Sequence, residues 1–362
     1  MPATSRDSQT PFPPLPEGLP PPQWTSPSLE LTAARLLLHR PHRSVLGEHV
    51  FGVLSALDSL TSLVLSNNCL NGPLSELATK LVHLEALYLD SNQISALPTS
   101  LGAWTKMKWF SASANRIAVL PPEVGEWRNS VFISLRTNLL KELPTEVGNW
   151  VHLERLFLGT NLLTAIPHEF GSLTALVELE LRNNQIAELP MTLSACVQLR
   201  RLHLGKNKIV EIPSEILSTL TELEELHLYD NRLESLPPEV GCLTKCHRMT
   251  LSSNNLRTLP EEVAQCSSLT ELYINKNAKF GSLPGSVGQL RALKEIQARN
   301  CPALKSLPSS ASDWSNLEVL DLSMPKKSVC KLAPEFITAA EATNCRIIGG
   351  IQKKAGKGKK KK

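Results

Sequence analysis

From residue 60 onward the apolar and polar positions fall into a short string that keeps returning. Starting at Leu84 the chain reads Leu84-x-x-Leu87-x-Leu89-x-x-Asn92-x-Ile94-x-x-Leu97-Pro98. The same spacing restarts at Met107, Ser130, Leu153, Leu176, Leu199, Leu223, Cys246 and Leu269, with looser copies at Leu60, Leu293 and Leu317. Twelve units therefore stand in phase, at steps of 23 or 24 residues. A fixed period of this length marks a solenoid, in which no single coil can bury its own apolar face and each packs on its neighbours. The Leu-x-Leu core, Leu156 and Leu158 for example, alternates with period two and predicts a short strand buried on one face. An asparagine follows at the strand end in ten units, from Asn68 to Asn277. Its amide both donates and accepts, so it is expected to satisfy turn backbone of its own coil and the next. Leu-Pro closes most units and opens an outer segment, where Trp104, Trp127, Trp150 and Trp314 are read as core on the convex side.

These elements predict an α/β solenoid of about twelve 23–24-residue repeats. A parallel sheet forms its concave side, and irregular or short-helical segments form its convex side. Strands stacked about 4.8 Å apart give the array a length of roughly 55 Å. The organisation expected is a Pro-rich leader at 1–28, an N-terminal cap at 29–58, the repeats at 59–325, a C-terminal cap at 326–350 and a Lys-rich tail at 351–362.

The unit is identified as a leucine-rich repeat of horseshoe type. The proline after the last leucine, the Glu-Val-Gly that often follows and the 23-residue step resemble the Ras-group intracellular repeats. That group holds the Ras suppressor protein and the repeat regions of Scribble and Erbin. The resemblance implies cytosolic signalling or scaffolding, with small GTPases or phosphatase complexes as partners. The units from Leu269 and Leu293 depart from it: each carries an extra residue before Leu283-Pro284 and Leu307-Pro308, and Cys301 replaces the asparagine. Those two resemble the plant disease-resistance variant.

Composition changes this picture at the ends. The net charge of +4 is concentrated in seven lysines between Lys353 and Lys362; without them 31 basic and 34 acidic side chains remain. A nucleic-acid face is therefore not expected on the repeats, and weak contact with nucleic acid or an anionic surface is confined to the tail. A ribosome- or chromatin-associated protein that uses this tail is the alternative reading. Residues 1–27 hold nine prolines, which favour extended geometry and cannot build a core. The eight cysteines are scattered rather than clustered, which fits reduced thiols in the cytoplasm or nucleus. Cys242 and Cys246 lack a second ligand pair, so no zinc is assigned to them. No apolar run long enough to span a membrane appears, nor a secretory signal, so no membrane insertion is expected. Phosphate-cradling glycine loops and nucleophile elbows are likewise missing, so neither catalytic residues nor a cofactor is assigned.

Candidate binding residues come from the positions that point out of the sheet. Just before the first core leucine of each strand the chain reads Trp109, Phe132, Arg155, Glu178, Arg201, Glu225, Arg248 and Glu271, alternating in sign from Arg155 onward. Neighbouring strands bring such residues about 5 Å apart, so this row reads either as a self-neutralising ladder that solubilises the sheet or as a polar landing strip for a charged partner. Toward the N-terminal half, Tyr88, Trp109, Phe132 and Phe157 gather exposed aromatics on the concave sheet, the usual makings of an interface hot spot. Arg136 and Arg182 are expected at its rim, with Arg155 against Phe132. Tyr229 and Tyr273 point the same way farther along. His203 and His227 occupy matching positions beside Glu180; they are read as exposed polar residues with a mild pH response, and no metal is assigned. Together these twelve residues frame a protein-binding concave face.

Overall fold

The computed structural model describes residues 35–37, 59–71, 74–325 and 328–350. The leader 1–28, most of the segment 29–58 and the tail 351–362 lie outside the described residues. Strands β1 (Arg35–Leu37), β2 (Ser62–Val64), β3 (Ala86–Tyr88), β4 (Trp109–Ser111) and β5 (Phe132–Ser134) begin a single sheet. It continues through β6 (Arg155–Phe157), β7 (Glu178–Glu180), β8 (Arg201–His203), β9 (Glu225–His227) and β10 (Arg248–Thr250). β11 (Glu271–Tyr273), β12 (Glu295–Gln297), β13 (Val319–Leu322) and β14 (Arg346–Gly349) complete it. All pair in parallel, in chain order. β2 to β13 are the twelve sequence repeats, and β1 and β14 add one strand at either end.

Register follows the repeat. Leu156, Leu179 and Leu202 stand side by side, so the central apolar residue of each strand from β2 to β13 joins one buried spine. The outer side is built mostly of five-residue 3-10 turns such as Pro122–Glu126 and Thr145–Asn149, with short helices α1 (Ser75–Lys80), α2 (Ser214–Thr219) and α3 (Pro334–Ala342). The closing prolines explain where these turns start. Pro121, at φ −73° and ψ 150°, has no N–H to lose and hands the chain over in extended geometry. The Glu-Val-Gly glycine has a packing role: a Cβ on Gly125 would come within 2.6 Å of the Glu146 Cβ in the next coil. Trp104, Trp127, Trp150 and Trp314 are buried on this side as expected, and the Trp127 and Trp150 indoles donate to the Leu101 and Val124 carbonyls. Cys196 and Cys266 take the same place in their repeats, and their thiols donate to the Phe170 and Val240 carbonyls.

The asparagine ladder differs from expectation in direction. Asn138 donates to the Leu135 carbonyl of its own coil and to the Ala112 carbonyl of the preceding one, and accepts from the Ile117 N–H. The link therefore runs backward along the array, not to the next coil. One feature had no signal in the sequence. The residue before each of these asparagines sits in the left-handed region, including Ala114, Thr137 and Thr160 at φ 55° to 58°. Non-glycine residues tolerate this at a cost, here offset by the backbone bonds that each turn makes to its neighbours, such as Thr137 N–H to the Gly159 carbonyl.

Candidate functional site

On the sheet face, three rows of side chains run across the strands, and the twelve candidate residues occupy them. The most constrained group lies over β5 to β7. Glu180, at the end of β7, is 4% exposed. Its carboxylate is held by Arg136 through both Nε and Nη2, and by Arg182 Nε at 2.5 Å. The Arg136 guanidinium also lies 3.9 Å from the centroid of the Phe157 ring. A cation in that position is worth about 1–2 kcal/mol when partly desolvated. Phe157 in turn meets Phe132 edge-on at 5.5 Å, and the Arg155 guanidinium lies 5.9 Å from the Phe132 centroid.

This geometry corrects the expectation of exposed aromatics. Phe132 is 6% exposed and Phe157 is 2% exposed, and Tyr88 is buried as well. Arg136 covers the Phe157 ring, and Phe157 and Arg155 flank Phe132. Trp109 alone of the N-terminal aromatics is half-buried; it makes no ring contact with Phe132, and Lys108 Nζ lies 5.9 Å from its centroid. Glu180, expected as an outward polar residue, is instead the buried centre, and Arg136 and Arg182 bind it rather than forming a rim. Tyr229 joins this group through a hydrogen bond with Arg182. Tyr273 stands apart, its hydroxyl donating to Glu271 at 2.7 Å.

Two glycines missed by sequence reasoning make room for this arrangement. A Cβ on Gly159 would run into the Glu180 carboxylate, and one on Gly205 would stand 2.7 Å from Tyr229 Cδ1. Their signal was legible: sibling repeats carry Ser113, Arg136, Arg182 or Ser252 at that position.

The charge ladder pairs selectively. Arg201 bonds Glu178 at 2.9 Å and Arg248 grips Glu271 with two bonds of 2.8 Å, whereas Arg248 reaches Glu225 only at 3.9 Å. Arg155 has no ion pair among the described residues.

His203 and His227 are also corrected: both are half-buried, not exposed, and their carboxylate neighbour is Glu225 instead of Glu180. The two rings stack at 4.4 Å. His227 Nε2 lies 2.9 Å from Glu225, and its Nδ1 lies 3.1 Å from the Thr250 hydroxyl. Burial, then the neighbouring His227, pushes the His203 pKa down to about 3, while the His227 hydrogen bond holds Glu225 down at about 2. His203 is thus neutral and Glu225 ionised at physiological pH.

With this geometry established, comparison with known proteins settles the fold. A leucine-rich-repeat family model matches residues 132–186, and a model of two leucine-rich-repeat copies matches 197–239. The fold is a leucine-rich-repeat solenoid. A leucine-rich-repeat protein of Leptospira interrogans is similar at 29% identity, over 84% of this chain and 87% of that one, with a TM-score of 0.57. The internalin InlF of Listeria monocytogenes shares the fold at 17% identity, over 88% and 87% of the two chains, with a TM-score of 0.73. A plant peptide hormone receptor, solved in complex with RGF2, does so at 22% identity and a TM-score of 0.57, over 82% of this chain and 60% of its own. No curated protein matches the chain. Leucine-rich-repeat proteins generally act in protein–protein interaction. Among the described residues, no helix is long and apolar enough to cross a membrane.

Proposed function

We propose that this leucine-rich-repeat chain is a non-enzymatic interaction scaffold that docks a partner protein on its concave face, over β4 to β7. The observation that carries this reading is the Arg136–Phe157–Glu180–Arg182 group. Two guanidiniums share one buried carboxylate, so the cluster keeps a net positive charge, and Arg155 adds another beside it. Arg136 is already immobilised on a ring and a carboxylate, so docking costs little further side-chain entropy. Arg182, with its side chain 54% exposed, presents donors outward. Such a surface fits an acidic segment of a partner, with Trp109 as the half-buried aromatic at its edge.

The partners implied by the Ras-group resemblance, small GTPases or phosphatase complexes, are the first to try. A reducing compartment, cytoplasm or nucleus, fits the use of Cys196, Cys266 and Cys301 as thiol donors to backbone carbonyls. Burial pushes the first two up to about 12, which keeps them unreactive.

The test is affinity purification from native-cell extract, comparing the wild type with Trp109→Ala/Arg155→Glu and with a chain ending at residue 352. Both substituted positions are half-buried, so the core stays intact and circular dichroism should be unchanged. Loss of a defined protein set in the double variant supports the concave site. Retention of that set, with ribosomal or nuclear partners lost only on truncation, sinks it in favour of the lysine tail.

A further inference from the structure

We propose that His203, His227 and Glu225 form a binding site for one zinc-class divalent cation on the sheet face. The repeat itself creates the site. Parallel register sets His203 of β8 directly beside His227 of β9, and Glu225, two residues before His227, points to the same side of the strand. One ligand atom from each of the three lies within 4.8 Å of the others. Around a zinc ion, at about 2.0–2.2 Å from each donor, these atoms stand roughly 3.3 Å apart. Small rotations of the two stacked rings and the carboxylate close that gap.

Three further features favour a cation here. The first is His203 Nε2, which is buried without a hydrogen-bond partner among the described residues. A buried nitrogen in that state is costly, and a metal bond would satisfy it. Second, Thr250 stands behind His227 Nδ1 and can either donate or accept. It therefore holds the ring equally well when Nε2 gives up its hydrogen to bind metal, the usual role of an outer partner behind a ligating imidazole.

The third feature is the charge balance. Arg182, Arg201 and Arg248 surround the site, but they are bonded to Glu180, Glu178 and Glu271 respectively. Glu225 is left with His227 and a guanidinium nitrogen no closer than 3.9 Å, so its charge is available to a cation. Two imidazoles and one carboxylate suit zinc, and three protein ligands leave a fourth position open toward the sheet face. Metal binding requires no protein partner, so it stands or falls apart from the docking role proposed above.

The experiment titrates the chelator-stripped full chain with Co²⁺ as a coloured probe, then displaces it with Zn²⁺. The wild type is expected to bind one ion per chain at micromolar Kd or tighter, with tetrahedral d–d bands and no thiolate charge-transfer band. His203→Gln and Glu225→Gln should each weaken binding at least ten-fold. Thr250→Val should weaken it by about ten-fold. His247→Gln and Cys242→Ser should leave it unchanged. A thiolate band, equal binding by the His203 and Glu225 variants, or no one-to-one binding by the wild type overturns the proposal. Glu225 is the more accessible position, so its variant keeps the test decisive if His203→Gln fails to fold.

Discussion

Replacing Asn138 by alanine tests the physical basis of the whole array. The amide is 5% exposed. It donates to the Ala112 carbonyl at 2.9 Å and the Leu135 carbonyl at 3.1 Å, and it accepts the Ile117 N–H at 3.0 Å. Alanine strands the Ile117 donor in the interior, where water cannot replace the lost partner, while the Ala112 and Leu135 carbonyls each lose one bond and keep only the Asn115 and Asn161 amides. The stranded donor costs about 1–3 kcal/mol and each of the two lost carbonyl bonds about 0.5–1.5 kcal/mol, so the expected loss is about 2–5 kcal/mol. The chain contains its own control. Cys301 stands where the asparagine belongs, and its thiol donates to the Ile274 carbonyl, the counterpart of Ala112, at 3.2 Å. Asn138→Cys should therefore keep the cross-coil donor to Ala112, lose the Leu135 and Ile117 bonds, and cost less than Asn138→Ala. Urea unfolding in reductant, followed by far-UV circular dichroism and by the fluorescence of Trp127 and Trp150, measures both. A loss below about 1 kcal/mol for alanine, the size of an ordinary surface substitution, would refute the ladder argument. So would equal losses for cysteine and alanine.

Other positions give separate checks. Glu180→Ala leaves Arg136 and Arg182 facing each other without their carboxylate and should cost about 3 kcal/mol; an unchanged urea midpoint would show that the group is solvated instead. Thr137→Gly relieves a β-branched residue at φ 55° and should stabilise the chain by about 0.5–1 kcal/mol after the glycine entropy cost, read as a higher urea midpoint. Acid sensitivity follows from His203. Its folded-state pKa lies below the ordinary 6.5, so the unfolded chain takes the proton first and stability falls as pH drops from 6.5 toward 3. The slope reaches at most about 1.4 kcal/mol per pH unit. Glu225 adds its own loss only below 4.5, so metal-free His203→Gln should flatten the window between 6.5 and 4.5. A slope identical to that of the wild type would contradict the burial argument.

The repeat was legible because its determinants are one-dimensional: a leucine spine, an amide and a proline recur at a fixed step, and parallel stacking converts that step directly into register. Burial on the sheet face was not legible in the same way. Phe157 is two residues from Arg155 in sequence, yet its cover comes from Arg136 one coil earlier, and the space for Glu180 comes from the absence of a side chain at Gly159. Such contacts depend on which rotamer each neighbour takes, and a single row read along the chain does not contain that information. The histidine pair shows the same limit: its adjacency followed from register, but Glu225 had been absorbed into the charge ladder and so was not seen as its ligand.

That ladder, once resolved into bonds, points back to both candidate sites. Six alternating charges on adjacent strands can pair off completely in one way. Had Arg155 bonded Glu178, Arg201 would have turned to Glu225 and Arg248 to Glu271, and all six would be consumed. The structure keeps Arg248 with Glu271 but turns Arg201 to Glu178. Among the described residues, Arg155 is then left without a carboxylate, and Glu225 has only His227 at 2.9 Å and Arg248 at 3.9 Å. Arg155 stands beside the phenylalanine and arginine cluster, whose aromatic ring it partly covers. Glu225 stands beside the two stacked imidazoles. Each of these two charges lies where other side chains already supply complementary binding chemistry, a cationic docking surface in one case and a metal-ligand set in the other. A sheet face that only needed solubility would gain nothing from leaving Arg155 without a carboxylate and Glu225 on a histidine.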